Sequence, residues 1–216
     1  MSLISYHTLG KAASEELIIN KSRFIGYAAP CGSAEEALDY LAAISLEHPD
    51  ASHHCFAYVI GSNAGIMRYS DDGEPSGTAG LPIMSVLKAR ELRDVCVVVV
   101  RYFGGVLLGA GGLVRAYTKS AAQAVDAAGI VVMNPTVRLT AELPYPLWDR
   151  VQRLMEKLPL IVEDTRFTQA VSADIMVRQD DLTEVIDSLK QQSEGRALIE
   201  ETGRLYYGWP TDMPST

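Results

Sequence analysis

Between Arg101 and Arg115 the chain runs Arg-Tyr-Phe-Gly-Gly-Val-Leu-Leu-Gly-Ala-Gly-Gly-Leu-Val-Arg, with glycine at 104, 105, 109, 111 and 112. Glycine lets backbone N–H groups turn outward and approach a ligand closely. Where such a segment opens a helix, the free N–H groups and the helix dipole favour an anion. Arg101 and Arg115 could flank a phosphate, Lys119 stands one turn further on, and Tyr102 or Tyr117 could stack on a base. A tight turn that needs glycine for positive φ or close contact accounts for the same residues, and both readings stay open at this level. Two sharper motifs fail: a P-loop needs Gly-Lys-Ser/Thr where Gly112-Leu113-Val114 stands, and a dinucleotide fingerprint needs glycine at Val114.

A second constellation is Ser70-Asp-Asp-Gly-Glu-Pro-Ser-Gly-Thr-Ala-Gly80, preceded in the chain by His53 and His54. Its bland reading is a turn followed by a helix capped by Ser76 or Thr78. Its chemical reading is an acid/base or Mg²⁺ site built from His54 with Asp71 or Asp72. Adjacent histidines on a strand point to opposite faces, so only one could join such a site. The segment lacks the alternating ligands of an EF-hand, no C-x-x-C pair is present, and no nucleophile elbow appears. The residues therefore call for no metal and no cofactor.

Elements to position these segments can be read from periodicity. Leu17–Asn20 and Arg23–Ala29 read as strands about a Lys21-Ser22 turn, and Ser33 as the N-cap of a helix ending at His48-Pro49. Strands at His54–Ile60 and Ile66–Tyr69, a helix at Leu81–Arg90 and a strand at Val95–Val100 follow. The unbroken apolar run Val95–Val100 predicts burial on both faces. A helix from about Leu113 to Ala128 has Leu113, Ala116, Tyr117, Ser120, Ala121 and Ala124 as its packing stripe, with Arg115 and Lys119 together on another face. Asn134-Pro135 is the best linker signal. Beyond it, strand, helix, two strands, helix and strand make a βαββαβ order, the ferredoxin-like pattern.

The chain has 216 residues, enough for one large or two small domains, with 48% hydrophobic and 21% charged residues. Nineteen Lys and Arg against 27 Asp and Glu leave a net charge of −8, which argues against coating nucleic acid or anionic membrane by bulk charge. A local basic patch remains possible in such a chain. The N-terminus lacks the pattern of a secretory signal, no apolar run approaches membrane-spanning length, and three cysteines suit a reducing compartment. A cytoplasmic protein with no membrane association is expected.

The segments His53-His-Cys-Phe-Ala-Tyr58, Ser70–Gly80 and Val98–Tyr117, in that order between about Leu17 and Ala128, resemble the IMPACT family, bacterial YigZ type. The resemblance implies an α/β (α+β) fold: residues 1–133 as a ribosomal-protein-like domain similar to elongation factor G domain IV. Residues 134–203 would be a ferredoxin-like domain similar to domain V of that factor; residues 204–216, with a Pro-rich end, read from composition as a frayed tail. The shared motif positions here are His53, His54, Asp71, Asp72, Glu74, Arg101, Tyr102, Gly104, Gly105, Gly109, Gly111, Gly112, Arg115 and Tyr117. The family's eukaryotic branch regulates translation through an added N-terminal interaction domain, for which the sixteen or so residues before the first strand leave no room. The resulting expectation is a non-enzymatic, translation-associated protein binding RNA or the ribosome through Arg101, Tyr102, Gly104, Gly105, Gly109, Gly111, Gly112, Arg115 and Lys119. The alternatives are an enzyme on a small phosphorylated or nucleotide ligand using His54, Asp71 and Asp72, and an adaptor for a protein partner.

Overall fold

A computed structural model describes residues 4–209, which divide into two compact units, Tyr6–Val132 and Met133 onward together with the N-terminal residues up to Ser5. In the first unit the elements are β1 (Tyr6–Leu9), β2 (Ala13–Ile19), β3 (Ser22–Pro30), α1 (Ala34–Glu47), β4 (His53–Ile60) and β5 (Ile66–Ser70). After them come α2 (Gly80–Ala89), β6 (Val95–Tyr102) and α3 (Gly109–Ala128). Five strands form an antiparallel sheet in the order β2-β3-β6-β4-β5.

The hairpin between β2 and β3 turns at Asn20 and Lys21, both with positive φ, one residue earlier than the predicted turn. Ser33 caps α1, accepting from the Glu36 N–H at 3.1 Å. Strand β6 is buried on both faces as its sequence predicts. Val95, Val97 and Val99 pack with α2 and α3, while Cys96, Val98 and Val100 face the side that includes Ala37 and Ile44 of α1. A run usual for parallel strands thus serves an antiparallel sheet with helices on both sides.

Helix α3 starts a full turn earlier than Leu113, so Gly109, Gly111 and Gly112 belong to the helix rather than to a loop before it. Its predicted stripe is the one it buries: Leu113, Ala116, Tyr117, Ser120, Ala121 and Ala124. Gly26 of β3 makes this close packing possible, because a Cβ there would lie 2.6 Å from the Ser120 carbonyl oxygen.

The second unit contains most of β7 (Ile130–Leu143), then α4 (Tyr145–Met155), β8 (Leu160–Phe167), β9 (Val171–Arg178), a 3₁₀ turn (Gln179–Asp181), α5 (Leu182–Gln192) and β10 (Leu198–Gly208). Strand order β10-β7-β9-β8, all antiparallel, joins the last strand to the first and places the third between the first and second. This is the ferredoxin-like arrangement of the βαββαβ sequence. Its core holds Val137, Leu139, Ala173, Ile175 and Val177 of the sheet with Val151, Met155, Val185 and Leu189 of the helices.

Asn134-Pro135 is not a linker but lies inside β7, where both residues pair with β10. Proline is tolerated because the pairing of β7 with β9 begins only at Thr136, one residue beyond it. Residues 204–208, expected in a tail, complete β10, and the Trp209 indole is buried and donates to Thr136 Oγ1 at 2.9 Å. Residues 210–216 lie outside the described residues. Among the described residues no helix is long and apolar enough to cross a membrane.

Candidate functional site

Cross-strand register brings Phe24, Arg101 and His53 side by side, since Arg101 of β6 pairs with both others. All three therefore point to the face covered by α2 and α3. Glu74, from the loop between β5 and α2, enters from one side, and Tyr117 of α3 from the other. The Arg101 guanidinium donates to Glu74 Oε1 at 2.5 Å, and the Tyr117 hydroxyl donates to the same oxygen at 2.8 Å. The two charged side chains retain only 6% and 3% of their exposure. A buried pair of this kind needs close geometry and further hydrogen bonds to offset its desolvation.

The rest of the guanidinium is partly satisfied. Nη2 lies 3.4 Å from Ser22 Oγ, and the group sits over the Phe24 and Phe103 rings at 5.4 and 5.5 Å. Among the described residues the buried Nε has no hydrogen-bond partner. His53 Nδ1 is 2.7 Å from the Asp72 carbonyl oxygen, which can only accept, so Nδ1 carries a proton and Nε2 faces Glu74 at 3.9 Å. Burial, with Glu74 and Cys55 beside it, holds the Tyr117 phenol far above its ordinary range, so it stays a donor. Burial likewise pushes the Cys55 thiol up to about 12, which leaves no thiolate for nucleophilic chemistry.

His53, Glu74 and Arg101 form the floor of an open pocket of ≈ 330 Å³. Pro75, Phe103, Leu107 and Leu113 give it apolar walls, and Gly109 and Ala110 at the start of α3 close one side. Leu107 is 85% exposed and Phe103 49%. Among the described residues no side chain caps α3, whose N-cap residue is Leu108. The first-turn N–H groups therefore have no intrahelical acceptor and no capping side chain.

The acidic segment and the glycine segment thus meet in space, through Glu74, Arg101 and Tyr117. The residues expected to carry acid/base chemistry do not join them. Asp71 accepts from the N–H groups of Gly77, Ala79 and Gly80 at 2.8, 3.0 and 2.8 Å, capping α2 in place of Ser76 or Thr78. Burial acts to raise its pKa, but the three backbone donors outweigh that and hold the carboxyl below its usual range. Asp72 Oδ2 accepts from the His54 backbone N–H, and the His54 ring bonds through Nε2 to the His48 carbonyl on the other side of the sheet. None of His54, Asp71 or Asp72 lines the pocket. Among the described residues no three His, Cys, Asp or Glu side chains converge on a cation position.

The anion-contact residues also separate. Arg101 is buried and ion-paired, so it is no surface contact for phosphate. Tyr102 points to the opposite face, its hydroxyl 2.9 Å from His48 Nδ1, and Tyr117 is fully buried; neither is placed to stack. Gly104 is required by packing, because a Cβ there would lie 2.0 Å from the Lys21 carbonyl carbon, while Gly105 and Gly109 have φ of +80° and +68°. Gly111 and Gly112 have no such φ, and Gly111 is exposed and uncrowded. Arg115 and Lys119 are exposed, and among the described residues neither makes an ion pair or hydrogen bond. Phe103, Leu107 and the floor role of Glu74 escaped the sequence reading. Strand alternation was the available signal for Phe103, since it sets residues 101 and 103 on one face and Tyr102 on the other.

Residues 20–125 match the Impact N-terminal domain, and residues 142–196 match a domain of unknown function, DUF1949. IMPACT family member YvyE of Bacillus subtilis is 36% identical over 95% of this chain and 94% of its own length. The chain belongs to the IMPACT family. IMPACT family member YigZ of Escherichia coli is 39% identical over 63% of this chain and 68% of its own length. Among solved structures, the crystal structure of a hypothetical protein is 30% identical with a TM-score of 0.60, covering 90% of this chain and 96% of the other. The pocket floor His53, Glu74 and Arg101, and its neighbours through Leu113, all fall inside the matched Impact N-terminal domain.

Proposed function

We propose that this IMPACT family member is a cytoplasmic, translation-associated regulatory protein that binds single-stranded RNA, free or ribosomal, through the N-terminal end of α3. The observation that carries the reading is the exposed, uncapped start of α3 with two unpaired cations, Arg115 and Lys119, a turn apart on it. First-turn N–H groups receive a phosphate, Gly111 leaves the backbone bare for close approach, and the cations contact neighbouring phosphates. Phe103, half-exposed beside this helix end, offers the stacking surface that Tyr102 and Tyr117 do not. Among the described residues the sheet of the second unit carries no comparable patch: Arg138 pairs with Glu163, Arg166 with Asp164 and Asp174, and Arg204 with Glu201.

With a net charge of −8 the contact is local, and its salt dependence counts the phosphates involved. The test is fluorescence anisotropy of a labelled single-stranded RNA across a salt series, with ribosome co-sedimentation alongside. Arg115→Gln with Lys119→Gln removes two phosphate contacts, and the log-affinity against log-salt slope becomes shallower by about 1.4. An unchanged slope and affinity in this folded double variant overturns the reading. Substituting Arg101 is no substitute test, because its partner Glu74 would remain buried and unpaired.

A further inference from the structure

The pocket beside α3 has the composition of a recognition site rather than of a packing defect. Its volume of ≈ 330 Å³ is at the lower end for small-ligand sites, room for one nucleotide-sized group and not for two. Its walls are apolar and its floor is polar, and the two floor charges cancel. Three hydrogen-bonding atoms on the floor remain unused. Arg101 Nε is a buried donor with no acceptor, on a side chain only 6% exposed. Glu74 takes its bonds from Arg101 and Tyr117 on Oε1, leaving Oε2 to accept. His53 Nε2 makes no hydrogen bond among the described residues, the ring being held through Nδ1.

A donor, a carboxylate acceptor and an imidazole nitrogen at the bottom of an apolar slot complement the Watson–Crick edge of a nucleobase, where N–H groups alternate with carbonyl or ring-nitrogen acceptors. At the rim, the free N–H groups of Gly109 and Ala110 lie where the phosphate of the same nucleotide would sit.

From these contacts we infer that the pocket takes one unstacked nucleotide, its base between Phe103 and Leu107 and its edge on Arg101 Nε, Glu74 Oε2 and His53 Nε2. The phosphate rests on the start of α3. This deepens the RNA-binding reading and rests on it: Arg115 and Lys119 hold the strand, and the pocket removes one base from the stack. A free mononucleotide has the same chemistry, so the source must be resolved by experiment.

The probes are a hexauridylate, a hexaadenylate and an abasic hexamer of equal charge, each titrated against the full-length protein, together with the four nucleoside monophosphates. A base-bearing hexamer binds roughly 5- to 150-fold more tightly than the abasic one, the range for a single stacked base. Phe103→Ala removes that difference, whereas Arg115→Gln with Lys119→Gln weakens every hexamer alike. Leu107→Ser, at a side chain 85% exposed, repeats the Phe103 result without disturbing the core. If all hexamers bind with equal, salt-dependent affinity, the pocket assignment falls and the RNA-binding reading stands. If no hexamer binds but a monophosphate does, with loss in Phe103→Ala, the nucleotide pocket stands and the RNA reading falls. If neither class binds, both fall.

Discussion

Replacing one member of the Glu74–Arg101 pair is the sharpest test of how the site is held. Both side chains are almost wholly removed from water, at 3% and 6% exposure, and one carboxylate oxygen accepts from Arg101 and Tyr117 together. Arg101→Met leaves the Glu74 charge buried with only the tyrosine hydroxyl, a loss of about 3–5 kcal/mol for a broken buried pair. Glu74→Gln keeps an oxygen for Tyr117 but strands the guanidinium charge, a loss of about 2–3 kcal/mol, the scale of a hydrogen bond to a charged group. The double variant contains no buried charge. It is therefore expected within about 1 kcal/mol of the parent, since replacing a whole buried pair is often neutral. Urea unfolding followed by far-ultraviolet circular dichroism reads this directly. With a slope of about 2 kcal/mol per molar, Arg101→Met lowers the midpoint by about 1.5–2.5 M, and the double variant recovers most of it. Additive losses, with the double variant as unstable as the sum of the singles, would refute the claim that the two charges compensate each other.

Three further substitutions around the site have definite expected outcomes. Asp71→Asn weakens the cap of α2 by about 1–2 kcal/mol at neutral pH. Because the parent carboxyl titrates below its usual range, this stability is present above that range and is lost as pH falls through the folded value. The two proteins should converge in melting temperature on acidification, and a constant gap down to low pH would show that the charge is not what caps. Among the glycines, Gly104→Ala should destabilise strongly because the new Cβ meets the Lys21 backbone at 2.0 Å. Gly111→Ala should instead raise stability by up to about 1 kcal/mol through helix propensity while weakening RNA binding, so a thermal melt paired with anisotropy separates the two roles.

Local pattern determined a great deal about this protein. The valines of β6, the stripe of α3 and the βαββαβ order of the second unit were legible because burial imposes periods of 2 and 3.6 that a single chain displays. The three motifs were legible too, as was the family to which they belong. Where the reading failed, contacts distant in sequence had decided the matter. Pro135 looked like a linker because its pairing partner Tyr206 stands far along the chain, and the pairing of β7 with β9 begins only at Thr136, after the missing N–H. Ser76 and Thr78 looked like caps because cap chemistry is local, yet Asp71 folds back over the loop and satisfies three donors at once.

The same division holds at the site. That Arg101 carries a positive charge is a property of its side chain; whether the charge faces water is set by Glu74, 27 positions away in sequence. Tyr102, Tyr117 and Phe103 are equally aromatic, and only their placement on the sheet and helix made two of them structural and left the third half-exposed. Residue types thus supply the possible chemistry, while solvent exposure and hydrogen-bond saturation select which part of it remains usable. Both are properties of the packed chain, because each depends on groups brought together by folding rather than by order in sequence.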